Sequence, residues 1–253
     1  MKYMVSKSRI AKYIVPILQR CIDNHEVTCY IEPFVGGANV IDKISCKKRV
    51  GCDINPYLIG LLKHVSRERD CLLDEVTREF YSEIRANYKN GCYPDWLVGN
   101  VGFLASYNGR FFDGGYAQAG WEHTKSGDKW RDYYQEAKRN LLKQAKDIEG
   151  VEFCCMDYRE IDPSDKSGSL FYLDPPYNNT KKFANATNFD YDYFWNYVRI
   201  LSAGNYVVVS ELEAPKDFVC IWEHETLRSI KSTDKSTANE KLFVHKDSVM
   251  YFE

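Results

Sequence analysis

The stretch at 169–178, SLFYLDPPYN, sets the tightest limit on how this chain folds. Residues 170–173 are an unbroken apolar run, and two consecutive prolines, Pro175 and Pro176, follow Asp174. Proline gives no N–H to a sheet ladder, and it pushes the residue before it out of the helical region. The run must therefore end as a strand at Asp174, and the chain must leave that strand stiffly. A strand apolar at every position is buried on both faces, the setting of a parallel sheet. The result is an acid, two fixed carbonyls and the ring of Tyr177 at the tip of a buried strand.

A second stretch gives that sheet its surroundings. Residues 28–32 read as a short strand ended by Pro33, EPFVGGAN at 32–39 as a tight glycine turn, and 40–44 as the start of a helix. Residues 49–53 read as the next strand, and Pro56 opens a further helix at a first-turn position. Strand, turn, helix, strand, acid is a βαβ unit. Upstream, Ile10, Ile14, Ile17 and Leu18 recur at helical spacing, with Ser8 as a cap.

From 64 to 146 the pattern changes. A charged helix over 67–88 precedes a glycine- and aromatic-rich loop segment over 91–130, then a basic helix, YYQEAKRNLLKQAK; the segment has little sheet of its own. Strands resume at 151–156, 170–173 and 206–210, with an aromatic helix over 193–201 and a closing hairpin from 241–245 and 248–252. The expected architecture is α/β: a Rossmann-like sheet with a C-terminal β-hairpin. It is divided into 1–63 and 147–253 around an inserted, mostly helical and loop-rich domain, 64–146.

With 253 residues, 44% of them hydrophobic, the chain can bury a sizeable core. No apolar run approaches the roughly 20 residues that span a bilayer. The N-terminal segment has neither an apolar h-region nor a small-residue cleavage site, so a cytoplasmic setting is expected. Nine cysteines, without repeating C-x-x-C spacing, fit neither a zinc knuckle nor a disulfide framework. A net charge of −2 argues against wholesale wrapping of nucleic acid, yet residues 101–146 carry eight Lys/Arg against five Asp/Glu.

The glycine turn is neither G-x-G-x-x-G nor G-x-x-x-x-G-K-[ST]. A pyrophosphate needs several backbone N–H groups around a dianion. Gly36 and Gly37 alone allow close backbone approach without that cradle, which suits a nucleoside-like ligand lacking phosphates. Asp53 lies 17 positions after Gly36, at the end of the second strand. An acid about 20 residues beyond such a turn accepts hydrogen bonds from ribose hydroxyls. The competing reading makes Asp53 the cap of the helix that follows Asn55-Pro56. Turn and acid together favour an adenosine-containing cofactor.

Asp174-Pro175-Pro176-Tyr177, with EPFVGGAN upstream and an insert between them, resembles the Dam-type (D12 class) adenine-N6 DNA methyltransferases in motif order over nearly the whole chain. The segment YMVSKSRIAKYIVPIL resembles the family's opening segment, and FDYDYFWNYVRILS and SELEAPKDFVCIWE are similar to small phage and prophage members. Val5-Ser6 depart from the family's usual glycine before the lysine matched by Lys7. The resemblance implies S-adenosylmethionine as cofactor, S-adenosylhomocysteine as product, and no metal.

It also implies roles. Asp174 accepts one N–H of the target adenine's exocyclic amine and the Pro175 carbonyl accepts the other, which draws the nitrogen toward tetrahedral character and frees its lone pair. The rings of Pro175 and Pro176 hold those acceptors still. Tyr177 offers a face for a flipped base. Tyr3 and Lys7 belong at the cofactor and target base, Phe34 beside the methionine, and Gly36, Gly37, Asp53 and Ile54 along the cofactor. Asp157 is matched to its adenine, and Asp174 touches cofactor as well as base. Two residues have bland alternatives: Lys7 as a solvated helix-start lysine, Asp157 as an ordinary turn aspartate.

The insert is expected to read the target. SYNGRFFDGGY interleaves Asn108 and Arg110 with aromatics; Arg can read guanine bidentately, Asn can read adenine, and aromatics can wedge into a base step. The family has a similar Tyr-Asn-x-Arg stretch, whose following proline is missing here. The alternative is a surface loop that packs its aromatics inward. Lys138 and Arg139 read as phosphate contacts or as a solvated helix face. Duplex DNA is the expected partner, and a separately acting restriction endonuclease is compatible with the family. Adenine-N6 methylation of RNA, and a degenerate fold that binds nucleic acid without turnover, stay open.

Overall fold

The computed structural model describes residues 1, 7–68, 72–124, 127–163, 168–176, 189–231 and 234–253, with the backbone alone at 123–124, 226–231 and 234–238. Its strands are β1 (Cys29–Glu32), β2 (Lys48–Asp53), β3 (Gly120–Thr124), β4 (Gly127–Arg131), β5 (Glu152–Cys155), β6 (Leu170–Leu173), β7 (Tyr206–Glu211), β8 (Phe218–Lys231) and β9 (Asp234–His245). Its α-helices are α1 (Ala11–Asn24), α2 (Pro56–Arg67), α3 (Arg78–Asn87), α4 (Asp95–Gly99), α5 (Tyr133–Ala145) and α6 (Tyr191–Ser202). Among the described residues no helix is long and apolar enough to cross a membrane.

A mostly parallel, seven-stranded sheet has the order β5-β2-β1-β6-β7-β9-β8. Without the separate β3–β4 pair, its first five strands follow chain order third, second, first, fourth, fifth, a doubly wound arrangement that reverses between β1 and β6. β6 runs parallel to both neighbours, with Tyr30 opposite Leu170 and Leu173 opposite Val209. In open sheets of this kind, ligands bind beyond the carboxyl ends of the strands at the reversal. Pro33-Phe34 after β1 and Asp174-Pro175 after β6 leave the sheet at that edge. All four residues of β6 are buried, as the unbroken apolar run requires.

The chain forms two compact units. One comprises Met1–Val15, Val35–Ile44 and Gly51–Met156. Inside it, α2 packs closely on α4: a Cβ on Gly99 would lie 2.2 Å from the Tyr57 carbonyl oxygen, and one on Gly60 2.7 Å from Asp95 Cβ. The other unit comprises Pro16–Phe34, Ser45–Val50 and Asp157–Glu253. Its core is built on Tyr30, Ile31, Phe171, Val207, Val208, Phe194 and Leu201, all at most 2% exposed. Burying such side chains contributes roughly 1.5–3 kcal/mol each.

Three expectations need correction, and a fourth is made specific. The helix expected over 40–44 is a single 3-10 turn, Ile41–Lys43, because Ile44 is already extended and leads into β2. The charged helix expected over 67–88 is broken: α2 stops at Arg67, and Thr77 starts α3 by accepting a hydrogen bond from the Phe80 N–H. The little sheet expected over 64–146 is one short antiparallel pair, β3–β4. The closing hairpin uses other strands. Residues 241–245 are the end of the long β9, which pairs with β8, while Lys246–Tyr251 is a 3-10 helix begun at His245. There is a strand neighbour for 241–245, whereas 248–252 satisfies its backbone locally through Phe252 N–H to the Val249 carbonyl.

Candidate active site

The glycine turn is held by its own backbone and by Asp53. Val35 N–H donates to the Cys52 carbonyl at 2.8 Å, and Ala38 N–H closes the turn on the Val35 carbonyl at 2.9 Å. Gly36 and Ala38 have φ of 48° and 55°. The first is easy for glycine, while the second is a costly left-handed residue with a Cβ. Asp53 accepts from Gly36 N–H at 3.2 Å with one oxygen and from Asn55 N–H at 2.9 Å with the other. Burial raises the Asp53 pKa above the ordinary carboxylate value, against the N–H bonds from Asn55, Gly36 and Ile54. The cap of α2 is Asn55, whose side chain accepts from Tyr57 and Leu58 N–H. Capping therefore does not explain Asp53.

Beside this turn in sequence, Ile54 is 66% exposed, a large apolar side chain left on the surface directly after Asp53. Lys7 is 6% exposed in the short turn Lys7–Arg9, so it is not a solvated helix-start lysine. Tyr3 lies outside the described residues.

At the other strand end, Asp174 and Pro176 are half-buried and Pro175 is buried. The Tyr191 hydroxyl, from α6, donates to the Pro176 carbonyl. Burial, then the charge of Glu211, pushes the Tyr191 phenol up to about 12, so it remains a donor at neutral pH. Beneath the tetrad, burial and then the charge of Asp174 hold the Tyr172 phenol well above its usual range. Tyr177 lies outside the described residues.

Phe34 packs its ring 5.2 Å from Tyr158 and 6.1 Å from Phe189 and Phe194, centroid to centroid. Asp157 caps the turn Tyr158–Glu160 in a reciprocal box with Glu160. It also pairs with Arg159 at 2.7 Å, which holds its carboxyl below the usual range. Those local partners favour the turn-aspartate reading of Asp157.

The loop around Arg110 is partitioned. Phe112 is 5% exposed and stacks among Tyr81, Tyr88 and Phe111, while Phe111 also packs on Tyr57 and Phe103. A Cβ on Gly102 would lie 2.4 Å from Phe111, so that glycine makes the ring's berth. Facing out are Tyr107, 49% exposed, Asn108 and Arg110, the last paired with Asp113 at 2.7 Å. Asn108 has φ 56°, a left-handed conformation that asparagine tolerates. The inward-packing reading thus holds for Phe111 and Phe112, while Asn108 and Arg110 are left exposed. On α5, Lys138 pairs with Asp74 at 3.1 Å and Arg139 is exposed.

The model of the D12 class N6 adenine-specific DNA methyltransferases matches residues 6–96 and 106–203. The chain belongs to this family. Among its relatives is a type II methyltransferase of Methanocaldococcus jannaschii, M.MjaIII, 28% identical over 224 residues, which are 76% of this chain and 74% of that one. The DNA adenine methylase of Vibrio cholerae is 27% identical over 171 residues, 63% of this chain and 60% of the relative. The DNA N-6-adenine-methyltransferase of Escherichia phage P1 is 29% identical over 178 residues, 64% of this chain but 23% of the phage protein.

Within this D12 chain, sequence reasoning passed over two features. The first is Tyr191, which lies just before the aromatic helix expected over 193–201; its spacing from the tetrad carries no signal for a hydroxyl aimed at Pro176. The second is the β3–β4 pair, where Trp121 and Trp130 face each other across the strands, 5.7 Å apart and 65% and 54% exposed. Alternation over 120–131 with Gly127 at a turn could have revealed it.

Proposed function

We propose that this adenine-specific DNA methyltransferase transfers a methyl group from S-adenosylmethionine to the N6 amine of an adenine flipped out of duplex DNA. The observation that carries this reading is the tetrad's place: Asp-Pro-Pro at the tip of the wholly buried β6, at the reversal of a doubly wound sheet.

The glycine turn fits the cofactor. It has close backbone approach at Gly36, a carboxylate at Asp53 already in contact with the turn, and an exposed apolar surface at Ile54. It leads into one 3-10 turn and so lacks the helix N-terminus that a pyrophosphate needs. Gly36, Gly37, Asp53 and Ile54 would hold the nucleoside, with Phe34, Lys7 and Tyr3 toward the methionine and the base. S-adenosylmethionine, when bound, supplies an electrophilic methyl carbon on a positively charged sulfur.

The chain's own part is alignment. Asp174 and the Pro175 carbonyl would each accept one N–H of the amine, which frees its lone pair from the purine ring. Such positioning is worth roughly 7–11 kcal/mol. As the N–C bond forms the C–S bond breaks, S-adenosylhomocysteine leaves, and the surplus proton departs nitrogen along its hydrogen bond to Asp174. The Tyr191 bond to the Pro176 carbonyl stiffens the tetrad backbone that presents these acceptors. Tyr177 stacks on the flipped base. Asn108 and Arg110 read base edges, the exposed Trp121 and Trp130 offer stacking faces, and Lys138 and Arg139 meet phosphates; 64–146 is the recognition segment.

The deciding experiment is sequencing that detects N6-methyladenine in DNA from cells expressing this chain, followed by competition between duplex DNA and structured RNA for methyl transfer. Methyladenine at one DNA motif is the expected result. Preference for RNA would replace the substrate, and nucleic-acid binding without S-adenosylhomocysteine binding by calorimetry would remove the activity.

A further inference from the structure

We infer that Gln144 is a positioning residue for the cofactor, holding the glycine turn by its carbonyls where Asp53 holds it by an N–H; the inference rests on the reading of that turn as the cofactor site. Gln144 stands near the end of α5, 6% exposed. Its amide nitrogen donates to the Ala38 carbonyl at 2.8 Å and the Gly37 carbonyl at 3.1 Å, and lies 2.9 Å from an Asp42 oxygen. Its amide oxygen accepts from the Met1 nitrogen, which also reaches Asn39 at 3.2 Å.

The turn needs such a hold. It places Ala38 at φ 55°, and a residue with a Cβ stays there only when its surroundings over-determine it. Asp53 fixes the N–H of Gly36, while Gln144 fixes the carbonyls of the next two residues. One side chain thus sets the peptide planes that follow Gly36, and with them the direction in which the turn's N–H groups face. An ordinary surface glutamine would do none of this.

The test compares the full-length chain with Gln144→Met, which keeps length and loses the amide, and Gln144→Glu, which keeps the acceptor and loses the donor. Calorimetry with S-adenosylhomocysteine and steady-state kinetics are read together, with Asp53→Ala as the reference. Gln144→Met is expected to raise both the Kd and the KM for S-adenosylmethionine roughly tenfold, the loss of a buried hydrogen bond. The KM for DNA and kcat at saturating cofactor should stay within about twofold of the parent. Gln144→Glu should raise the Kd further, since its carboxylate faces three oxygens; it carries the test if the Met variant does not fold. A fall in binding stoichiometry at unchanged Kd means a merely structural role and overturns the inference. Weakening by Asp53→Ala alone also overturns it, while leaving the cofactor reading intact. If neither Asp53→Ala nor the Gln144 variants change the Kd, the cofactor reading of the turn itself fails.

Discussion

The tip of β6 and the loop around Arg110 place functional side chains in opposite ways. At β6, every strand residue is buried, Asp174 and two prolines follow, and a tyrosine hydroxyl holds the second proline's carbonyl. Around Arg110, two adjacent phenylalanines are packed inward and the polar residues before them stand in solvent. The first arrangement leaves its acceptors almost no freedom, which is what alignment of a reacting nitrogen demands. The second anchors a loop by its aromatics and leaves Asn108 and Arg110 exposed. Under the proposed function, chemistry would sit on the sheet and reading on a loop pinned by its aromatics.

The sharpest way to break this contrast is at β6. Asp174→Ala should lower methyl transfer at least about a thousandfold, by analogy with removal of one preorganised polar partner. Binding of S-adenosylhomocysteine should remain within a few-fold. Turnover near the parent level in a single-turnover assay would sink the proposed mechanism. In the loop, the largest effect should fall on folding instead. Phe112→Ala removes a buried ring and should cost about 3–5 kcal/mol, seen as a lower urea midpoint. If stability were unchanged, the loop would not be pinned by its aromatics.

An intermediate effect is expected at Asp53. Asp53→Ala should weaken S-adenosylhomocysteine roughly 10–100-fold, the range for hydrogen bonds to a charged group. Because burial raises the Asp53 pKa, pH gives a second readout. Ribose hydroxyls donate to the ionised carboxylate, so affinity should be level above the raised pKa and fall as pH drops through it. Asp53→Asn should remove that step; a step that persists in the variant would assign it to another group.

How much of this was legible depended on whether the deciding contacts were local. The prolines after Leu173 ended β6 by their own stereochemistry, and Asn55-Pro56 started α2 in the same way. The aromatics of SYNGRFFDGGY were legible as a type but not as a direction. Which rings turn inward depends on Gly102 leaving room for Phe111, a contact nine residues away. The helix expected after the glycine turn failed for a similar reason: Ile44 goes straight on into the chain that forms β2. In the same way, 248–252 has strand-like alternation, yet the strand partner of β9 is β8. Gln144 gave no signal at all, since a glutamine on a basic helix reads as a solvated residue until its carbonyl partners are known.

The finest test of the contrast is Arg110→Ala. The side chain is exposed and its ion pair with Asp113 is also exposed, so stability should not change measurably. If Arg110 reads a base edge, its loss should cost about 1–3 kcal/mol of discrimination at one base pair and little elsewhere. Methylation rates on duplexes differing at single positions of the target would show that pattern. A uniform loss across all duplexes, with a shallower salt dependence, would make Arg110 a phosphate contact instead. The comparison would then be redrawn: the pinned loop would place the DNA, and the reading would pass to Asn108 or to the exposed tryptophans of β3 and β4.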